Sequence, residues 1–294
     1  MLARQAQQTI VQSSNIIPAS TTDEQVVELW LHERSPNTVQ AYRRDVQRFL
    51  DFIAPRGLHE ATLADLQRYS RSLEELAPSS RKRMLSAVKS LLSFASKTGY
   101  LALNVGAALR LPKPRDRRAE RILTEAQVIK MIALESDPQK HLLLLLLYVS
   151  AARISELVQL RWRDVQPSGE AGQIALLGKG DKVRVIALTK SAWEALESKR
   201  PEGVKPDAPV FSTRNGKPID RRWAGRIVKD AAKRAKLPAN VSPHWLRHAH
   251  ASHSLDHGAP ISLVQQTLGH SNMATTGGYL HARPKESSAR YLRV

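Results

Sequence analysis

A short stretch rich in proline and arginine, residues 110–121, constrains the fold more than any other feature of the sequence. It contains two prolines, six basic residues and two acidic ones, a composition typical of an extended and charged linker. The chain has 294 residues, which suits two domains because roughly 100 to 200 residues per domain is usual. The sequence therefore predicts two globular domains joined by this linker, at 22–109 and 122–294.

The first domain is predicted to be entirely helical. Residues 1–21 are rich in glutamine, serine and threonine with little periodicity, which indicates a flexible segment. After them, apolar residues recur at helical spacing from Ser35 to Ile53, and similar patterns cover 62–76 and 80–97. We expect about four helices and no strand. The basic residues outside the apolar stripes are candidates for phosphate contact, namely Arg43, Arg44, Arg81, Lys82 and Arg83.

The second domain is predicted to combine helices with a small β-hairpin. Thr124 and Gln127 form a capping-box pattern at a helix start, and the run from Leu142 to Val149 is apolar enough for a buried helix. Two β-rich runs, 173–177 and 183–188, are joined by a segment with two glycines that suits a hairpin turn and places Lys179 at its tip. The predicted fold class is thus mainly α, with a small β-sheet or hairpin in the second domain.

The charge of the chain points to a polyanionic partner. Lysine and arginine total 45 against 27 acidic residues, a net charge of +18, and nucleic acid is the first partner to expect. A predicted helix over 221–236 carries basic residues three and four positions apart, a pattern that fits phosphate contact or a merely solvated face. These residues are Arg222, Arg226, Lys229 and Lys233.

Membrane and thiol chemistry are not expected. The longest apolar run is far shorter than the roughly 20 residues of a spanning helix, and the N-terminus lacks a signal-peptide core, so we expect a cytoplasmic protein with no membrane partner. The chain has no cysteine, which excludes disulfides and cysteine-ligated zinc.

Arg153 is the first candidate site residue. Ser150 is predicted to cap a helix that begins here, which would place Arg153 in the first turn beside free backbone N–H groups, a favourable position for an anion. The alternative is an arginine that is solvated or forms a salt bridge with Glu156.

His244 and Arg247 are three residues apart on a predicted helix that Ser242 caps and Pro243 begins. One side chain can move a proton while the other holds phosphate oxygens, although an ordinary helix face has the same spacing. Several further histidines in this region suggest a metal site. However, no nearby carboxylate pattern completes a ligand set, so we expect neither metal nor cofactor.

His270 follows Gly269, which is predicted to end a short helix over 263–268. Tyr279 follows nine residues later. A tyrosine in such a place is usually a packing or interface residue, so its significance depends on the other candidates.

Together, these residues resemble the active-site set of the tyrosine recombinase, or phage integrase, family. The matching segments are Arg153 in ARISEL, Lys179 in GKGDK, His244 and Arg247 in HWLRH, His270 in LGH and Tyr279 in TTGGYLH. The segment SPNTVQAYRRDVQRFLDF of the first domain is similar to the helical core-binding domain of that family. The compact layout looks most like Xer-type members and small integrases of mobile elements. Two departures stand out: Ala151 and Ala152 occupy the place of a common Gly-Leu pair, and Gly277 and Gly278 precede the tyrosine.

The resemblance implies a site-specific recombinase that cuts and rejoins DNA without metal or ATP. Tyr279 would form a 3'-phosphotyrosine, Lys179 would protonate the departing 5'-hydroxyl and His270 would hydrogen-bond the phosphate. It also implies two domains that form a C-shaped clamp on double-stranded DNA, and a tetramer on two target sites. A second recombinase or an accessory protein is a further possible partner, and the biological reaction is either chromosome dimer resolution or integration and excision of a mobile element. Type IB topoisomerase and a non-catalytic DNA-binding protein are the alternatives.

Overall fold

The computed structural model describes residues 16–18, 20–112, 121–178 and 181–269. The chain divides into two compact units, Met1–Arg115 and Asp116–Val294, and each unit has a hydrophobic core of its own. The finer predicted limits stay predictions, because most of 1–21 and of 110–121 lies outside the described residues.

The first unit is a helical bundle. Its helices are α1 (Asp23–Leu31), α2 (Pro36–Ile53), α3 (Leu63–Ser72) and α4 (Pro78–Lys97). Capping boxes at Thr22 and Thr62 begin α1 and α3, whereas α2 and α4 begin with proline, whose fixed φ suits a first helical turn. The four expected helices are thus confirmed in the described part of this unit, although α3 ends at Ser72 and not near residue 76.

Apolar residues spaced three and four apart hold this bundle together. Val46, Phe49 and Ile53 of α2 are almost fully buried, and α2 packs mainly against α4, whose buried face includes Leu85 and Val88. Burying one such side chain contributes about 1.5 to 3 kcal/mol. The basic residues of α2 therefore remain on its outer surface.

The second unit surrounds a small antiparallel sheet with helices. In chain order, its elements are α5 (Glu125–Ala133), α6 (Pro138–Val149), α7 (Ile154–Leu157), β1 (Val165–Ser168), β2 (Ala171–Leu177), β3 (Val183–Ala187), α8 (Lys190–Glu197), α9 (Arg221–Arg234), α10 (Pro243–Asp256) and α11 (Ile261–Leu268).

The sheet has the order β1-β2-β3, and Ile174 pairs with both Val165 and Ile186. The predicted β2–β3 hairpin is confirmed. The sequence did not reveal β1, because only Val165 of its four residues is buried and its proline is disfavoured inside a sheet. The pairing sets the faces of β2 and β3, so that Ile174 and Ile186 point into the core.

The helix-start prediction at Ser150 is wrong. Ser150 is the C-cap of α6, where its hydroxyl donates to the carbonyl of Leu146 at 2.6 Å. The apolar run of α6 favours continuation of the helix as far as Val149, so α7 begins only at Ile154. Between the two helices, Ala151 adopts a left-handed conformation with a φ of 49°.

Among the described helices, none combines the length and the apolar character that crossing a membrane requires.

Candidate active site

Arg153 precedes α7 with an extended backbone, φ −70° and ψ 144°. Its backbone N–H donates to Glu156 Oε2 at 2.7 Å, and its Nη1 donates to Glu156 Oε1 at 2.8 Å. The salt bridge proposed from the sequence as an alternative is therefore present. About a third of the Arg153 side chain remains exposed, so the ion pair holds the guanidinium without burying it.

Glu156 is an almost fully buried carboxylate at the centre of this region, 4% exposed. It accepts hydrogen bonds from Arg184 Nη1 at 2.9 Å and Nη2 at 2.7 Å in addition to those from Arg153. Burial alone would raise the pKa of Glu156, but the hydrogen bonds from Arg184 and Arg153 outweigh this effect and hold the pKa below its ordinary value. Glu156 is therefore held in its ionised form and shared by two arginines.

Arg247 lies on α10 and is also buried, at 4% exposed. Its Nη1 donates to the carbonyl of Ala151 at 2.7 Å, and its Nη2 donates to the carbonyl of Leu268 at the end of α11. These bonds join the turn before Arg153 to the segment that leads to His270. The cation also complements the carbonyl end of α11, where the helix dipole is negative.

His244 begins the first turn of α10, next to Pro243 at the first helical position. The predicted helix start is confirmed, although the Ser242 hydroxyl makes no capping hydrogen bond. Displacement of water lowers the pKa of His244, and the positive charges of Arg247 and Arg153 lower it further. His244 is exposed, so a neutral imidazole stands at the surface beside two guanidinium groups.

The neighbouring histidines serve the packing of α10 against α6. His250 Nδ1 donates to the carbonyl of Tyr148 at 2.8 Å, and burial lowers the pKa of His250 to about 4. The two ring nitrogens of His253 lie 2.9 Å from the Tyr148 hydroxyl and from the carbonyl of Leu123. No group of three possible metal ligands comes together among the described residues.

The structure therefore brings three of the six predicted catalytic residues together: Arg153, His244 and Arg247. The other three, Lys179, His270 and Tyr279, lie outside the described residues, as do Gly277 and Gly278. Gly178 and Gly269, the described residues that precede Lys179 and His270 in the sequence, both lie beside Arg184.

Comparisons with known proteins agree with this geometry. Residues 119–286 match the Phage integrase family, and residues 26–99 match its N-terminal SAM-like domain. The tyrosine recombinase XerC of Xanthomonas campestris pv. campestris is 34% identical over 257 residues, which cover 84% of this chain and 79% of that protein. The chain belongs to the phage integrase family of tyrosine recombinases.

Further relatives support the same assignment for this recombinase. The tyrosine recombinase XerD of Mycobacterium tuberculosis is 33% identical over 272 residues, covering 83% of this chain and 86% of that protein. A lambda integrase dimer bound to a COC' core site superposes with a TM-score of 0.75 at 20% identity, covering 90% of this chain and 95% of that one. The similarity to the lambda integrase structure establishes the fold. The recombinase is thus a site-specific enzyme with the mainly helical fold and small sheet that the sequence predicts.

The predicted DNA-contacting residues of the first unit fall into two groups. Arg43, Arg81 and Arg83 form ion pairs with Glu28, Glu74 and Asp45 respectively. Arg44 and Lys82 are exposed and form no ion pair within the described part of the chain. The first group is therefore held partly in place by carboxylates, and the second is open to solvent.

In the second unit, the basic face of α9 is present as the sequence predicts. Arg222, Arg226, Lys229 and Lys233 are exposed, and the buried residues of α9, which include Ile227 and Val228, lie on the opposite side. Asp220 caps the helix by accepting from the N–H of Trp223 at 2.6 Å.

Sequence reasoning missed Arg184 and the full part played by Glu156. One signal was available for Arg184. It is two residues before the core residue Ile186 on β3, so both side chains lie on the same face of the strand, and it pairs with buried Leu176. A charge on the core face of a strand requires a partner. That partner lies 28 residues earlier, beyond the reach of local patterns.

Proposed function

We propose that this recombinase cleaves double-stranded DNA at a specific site with Tyr279, and that the cut strand is held as a 3'-phosphotyrosine. The observation that carries the proposal is that Arg153, His244 and Arg247 come together in the second unit, where Arg247 donates to the carbonyl of Ala151, two residues before Arg153. Two cations and an imidazole are the groups that attack on a phosphodiester needs, and they stand on two elements of a single unit, Arg153 before α7 and the other two on α10.

The arginines supply the charge for the reaction. Negative charge accumulates on the non-bridging oxygens during attack, and planar guanidinium groups are suited to hold two oxygens at once. Arg153 is the more open of the two, since its side chain is 34% exposed. With two arginines supplying this charge, the proposed reaction needs no metal.

The remaining roles concern protons. A free tyrosine has a pKa near 10, so attack near neutral pH requires a base, and the lowered pKa of His244 keeps its ring able to accept a proton. Lys179 is proposed to protonate the departing 5'-hydroxyl, and His270 to hydrogen-bond the phosphate. The phosphotyrosine conserves the energy of the broken bond, so a 5'-hydroxyl of the partner duplex can reseal it without ATP.

The basic surfaces of both units are proposed to hold the duplex, with the two units acting as a C-shaped clamp. Half or more of protein–DNA hydrogen bonds go to the backbone, which the exposed arginines and lysines of α2, α4 and α9 can supply. Strand exchange requires two sites, so we infer a tetramer in which each copy cleaves one strand, together with a second recombinase or an accessory protein where the sites demand it. Chromosome dimer resolution and integration or excision of a mobile element are the two outcomes that this chemistry serves, and both place the enzyme with its DNA in the cytoplasm.

The decisive experiment uses nicked suicide duplexes, in which the cut strand loses a short fragment and cannot be rejoined. The duplexes carry the sites that the recombinase selects by binding from DNA of its source genome. Wild type and Tyr279→Phe are incubated with them without metal or ATP. We expect an SDS-resistant protein–DNA adduct with wild type only, and equal binding of both in a gel shift.

The outcome separates the alternatives. An adduct of similar yield with Tyr279→Phe would exclude Tyr279 as the nucleophile. Specific binding without an adduct in either protein would mean that the chain binds DNA without cutting it unaided. Adding a cell extract from the source organism then tests whether a partner subunit restores cleavage.

A further inference from the structure

Arg184 occupies an unusual place for a charged residue. It stands on the core-facing side of β3, paired with Leu176, and its side chain is only 13% exposed. A charge in such a place is costly unless it is fully paired. The hydrogen bonds of Arg184 therefore explain how its charge is stabilised in this position.

All three nitrogens of the Arg184 guanidinium are hydrogen-bonded. Nη1 donates to Glu156 Oε1 at 2.9 Å and Nη2 donates to Glu156 Oε2 at 2.7 Å. Nε donates to the carbonyl of Thr267 at 2.9 Å. The Thr267 carbonyl belongs to the last turn of α11, next to the Leu268 carbonyl that Arg247 holds. Arg184 thus connects α7, β3 and α11.

Two glycines lie beside this guanidinium. A Cβ on Gly269 would lie 3.6 Å from Arg184 Nη1, and one on Gly178 would lie 3.7 Å from the same atom. Gly269 has a φ of 60°, which glycine adopts without strain. By sequence, the residues that follow these glycines are His270 and Lys179.

We propose that Arg184 is a positioning residue that frees Arg153 to bind the phosphate. Glu156 needs a cation because it is buried and ionised. With Arg184 in place, that need is met by a bidentate pair, so the Arg153 guanidinium keeps donors for the substrate. Without Arg184, Arg153 is the one cation left on the carboxylate within the part of the chain that the structure describes, and phosphate and Glu156 compete for it. This inference rests on the proposed function.

Lysine in place of arginine tests the geometry while keeping the charge. A lysine ammonium is a point charge without the planar fork, so it cannot hold both carboxylate oxygens and the Thr267 carbonyl in the same arrangement. Arg200 provides a matched control. It donates from Nε and Nη2 to Glu197, and from Nη2 to the carbonyl of Val165 at 3.3 Å, away from the candidate site.

The measurement is the single-turnover rate of adduct formation on a nicked suicide duplex at saturating enzyme, with the Kd from gel shifts. We expect Arg184→Lys to lower the rate about 10- to 100-fold, since small misplacements of catalytic groups have effects of this order, while its Kd stays within about threefold of wild type, because contacts to the rest of the backbone persist. Arg200→Lys is expected to match wild type in both quantities. Thermal melting identifies any unfolded variant, and Arg184→Gln, which keeps an N–H donor to Glu156, replaces Arg184→Lys if the latter does not fold.

A double-mutant cycle shows whether Arg184 acts through Arg153. In an Arg153→Lys background, Arg184→Lys is expected to change the rate less than about twofold, because residues that act as a unit are not additive. If the losses of rate in the two single variants multiply in the double variant, or if Arg184→Lys alone cleaves at the wild-type rate, the inference is overturned. Cleavage by wild type would still support the proposed function in either case. Failure of wild type to form any adduct, both alone and with a cell extract from the source organism, overturns the proposed function itself.

Discussion

At the scale of single residues, Ala151 departs from the family pattern at a place where the backbone conformation favours glycine. Its φ of 49° lies in the left-handed region, which costs an L-residue roughly 1 to 2 kcal/mol. The resembling family commonly has glycine at this position, and glycine adopts this conformation without that cost. The turn is needed because it directs the Ala151 carbonyl to Arg247.

A pair of substitutions tests this strain. Ala151→Gly relieves the strain of the left-handed conformation but loses a buried methyl, worth about 0.8 kcal/mol. It also raises the conformational entropy of the unfolded chain, which lowers stability by about 0.4 to 1 kcal/mol. The free energy of unfolding should therefore change by less than about 1 kcal/mol. Ala152→Gly has the same losses without the relief, so we expect it to destabilise by about 1 to 2 kcal/mol. Urea titration measures both, and equal losses in the two variants would argue against strain at Ala151.

The lowered pKa of His244 predicts the pH dependence of cleavage. A protonated imidazole cannot accept the tyrosine proton, so the rate should fall as the pH drops through the folded-state pKa. Because that pKa lies below the ordinary value of about 6.5, adduct formation should be near its maximum at pH 8 and reach half of it at a pH below 6.5. The measurement is the single-turnover rate across this range.

His244→Gln should cleave slowly and lose the acid limb of this profile. His257 serves as the control, since it contacts Glu125 on the surface at the other end of α10. His257→Gln should keep the wild-type profile. An acid limb that persists in His244→Gln would assign the titration to another group.

At the scale of elements, α9 separates two functions on opposite faces. Its buried side contributes Ala224, Ile227 and Val228 to the core of the second unit. Its exposed side carries the cations described above at three- and four-residue steps, together with Asp230. Such a helix can lose its cations without losing its packing. The electrostatic part played by α9 is therefore measurable by itself.

We expect the triple variant Arg222→Gln, Arg226→Gln, Lys229→Gln to bind DNA more weakly and with less dependence on salt. Each phosphate contact contributes about 0.9 to the slope of log K against log salt, so the slope should fall by about 2 to 3 if all three cations contact phosphate. Gel shifts at several salt concentrations provide the slope.

The control variant removes three exposed lysines elsewhere in the same unit, Lys190, Lys199 and Lys205. It changes the net charge by the same amount, so it should lower the affinity only slightly and leave the slope almost unchanged. Equal effects of the two triple variants would show that net charge alone, and not the α9 face, holds the duplex.

At the scale of the whole molecule, local patterns predicted the elements and only part of their assembly. The helices α2 and α4 and the β2–β3 hairpin follow from apolar spacing and turn residues, which act over a few positions. The limits of α3 and α7 did not follow, because a helix end depends on competition with neighbouring segments. The boundary at Ser150 was wrong for this reason, since α6 continues into it.

The candidate site was predicted as a set of residue types, and its internal connections were not. Arg153, His244 and Arg247 were found because they match a family pattern. The link from Glu156 through Arg184 to Thr267 spans separations of 28 and 83 residues, and no periodicity in the sequence reports such a contact. Only the folded chain shows that a single buried carboxylate connects these segments.

These separations also determine when the site comes into existence during synthesis. Arg153 and Glu156 leave the ribosome long before Thr267 and Leu268, whose carbonyls complete the bonds of Arg184 and Arg247. A nascent chain, or a degradation fragment that ends before α11, therefore contains Arg153 and Arg247 without the carbonyls that complete the bonds of Arg184 and Arg247. The arrangement of the candidate site is in this way a property of a chain that extends at least through α11.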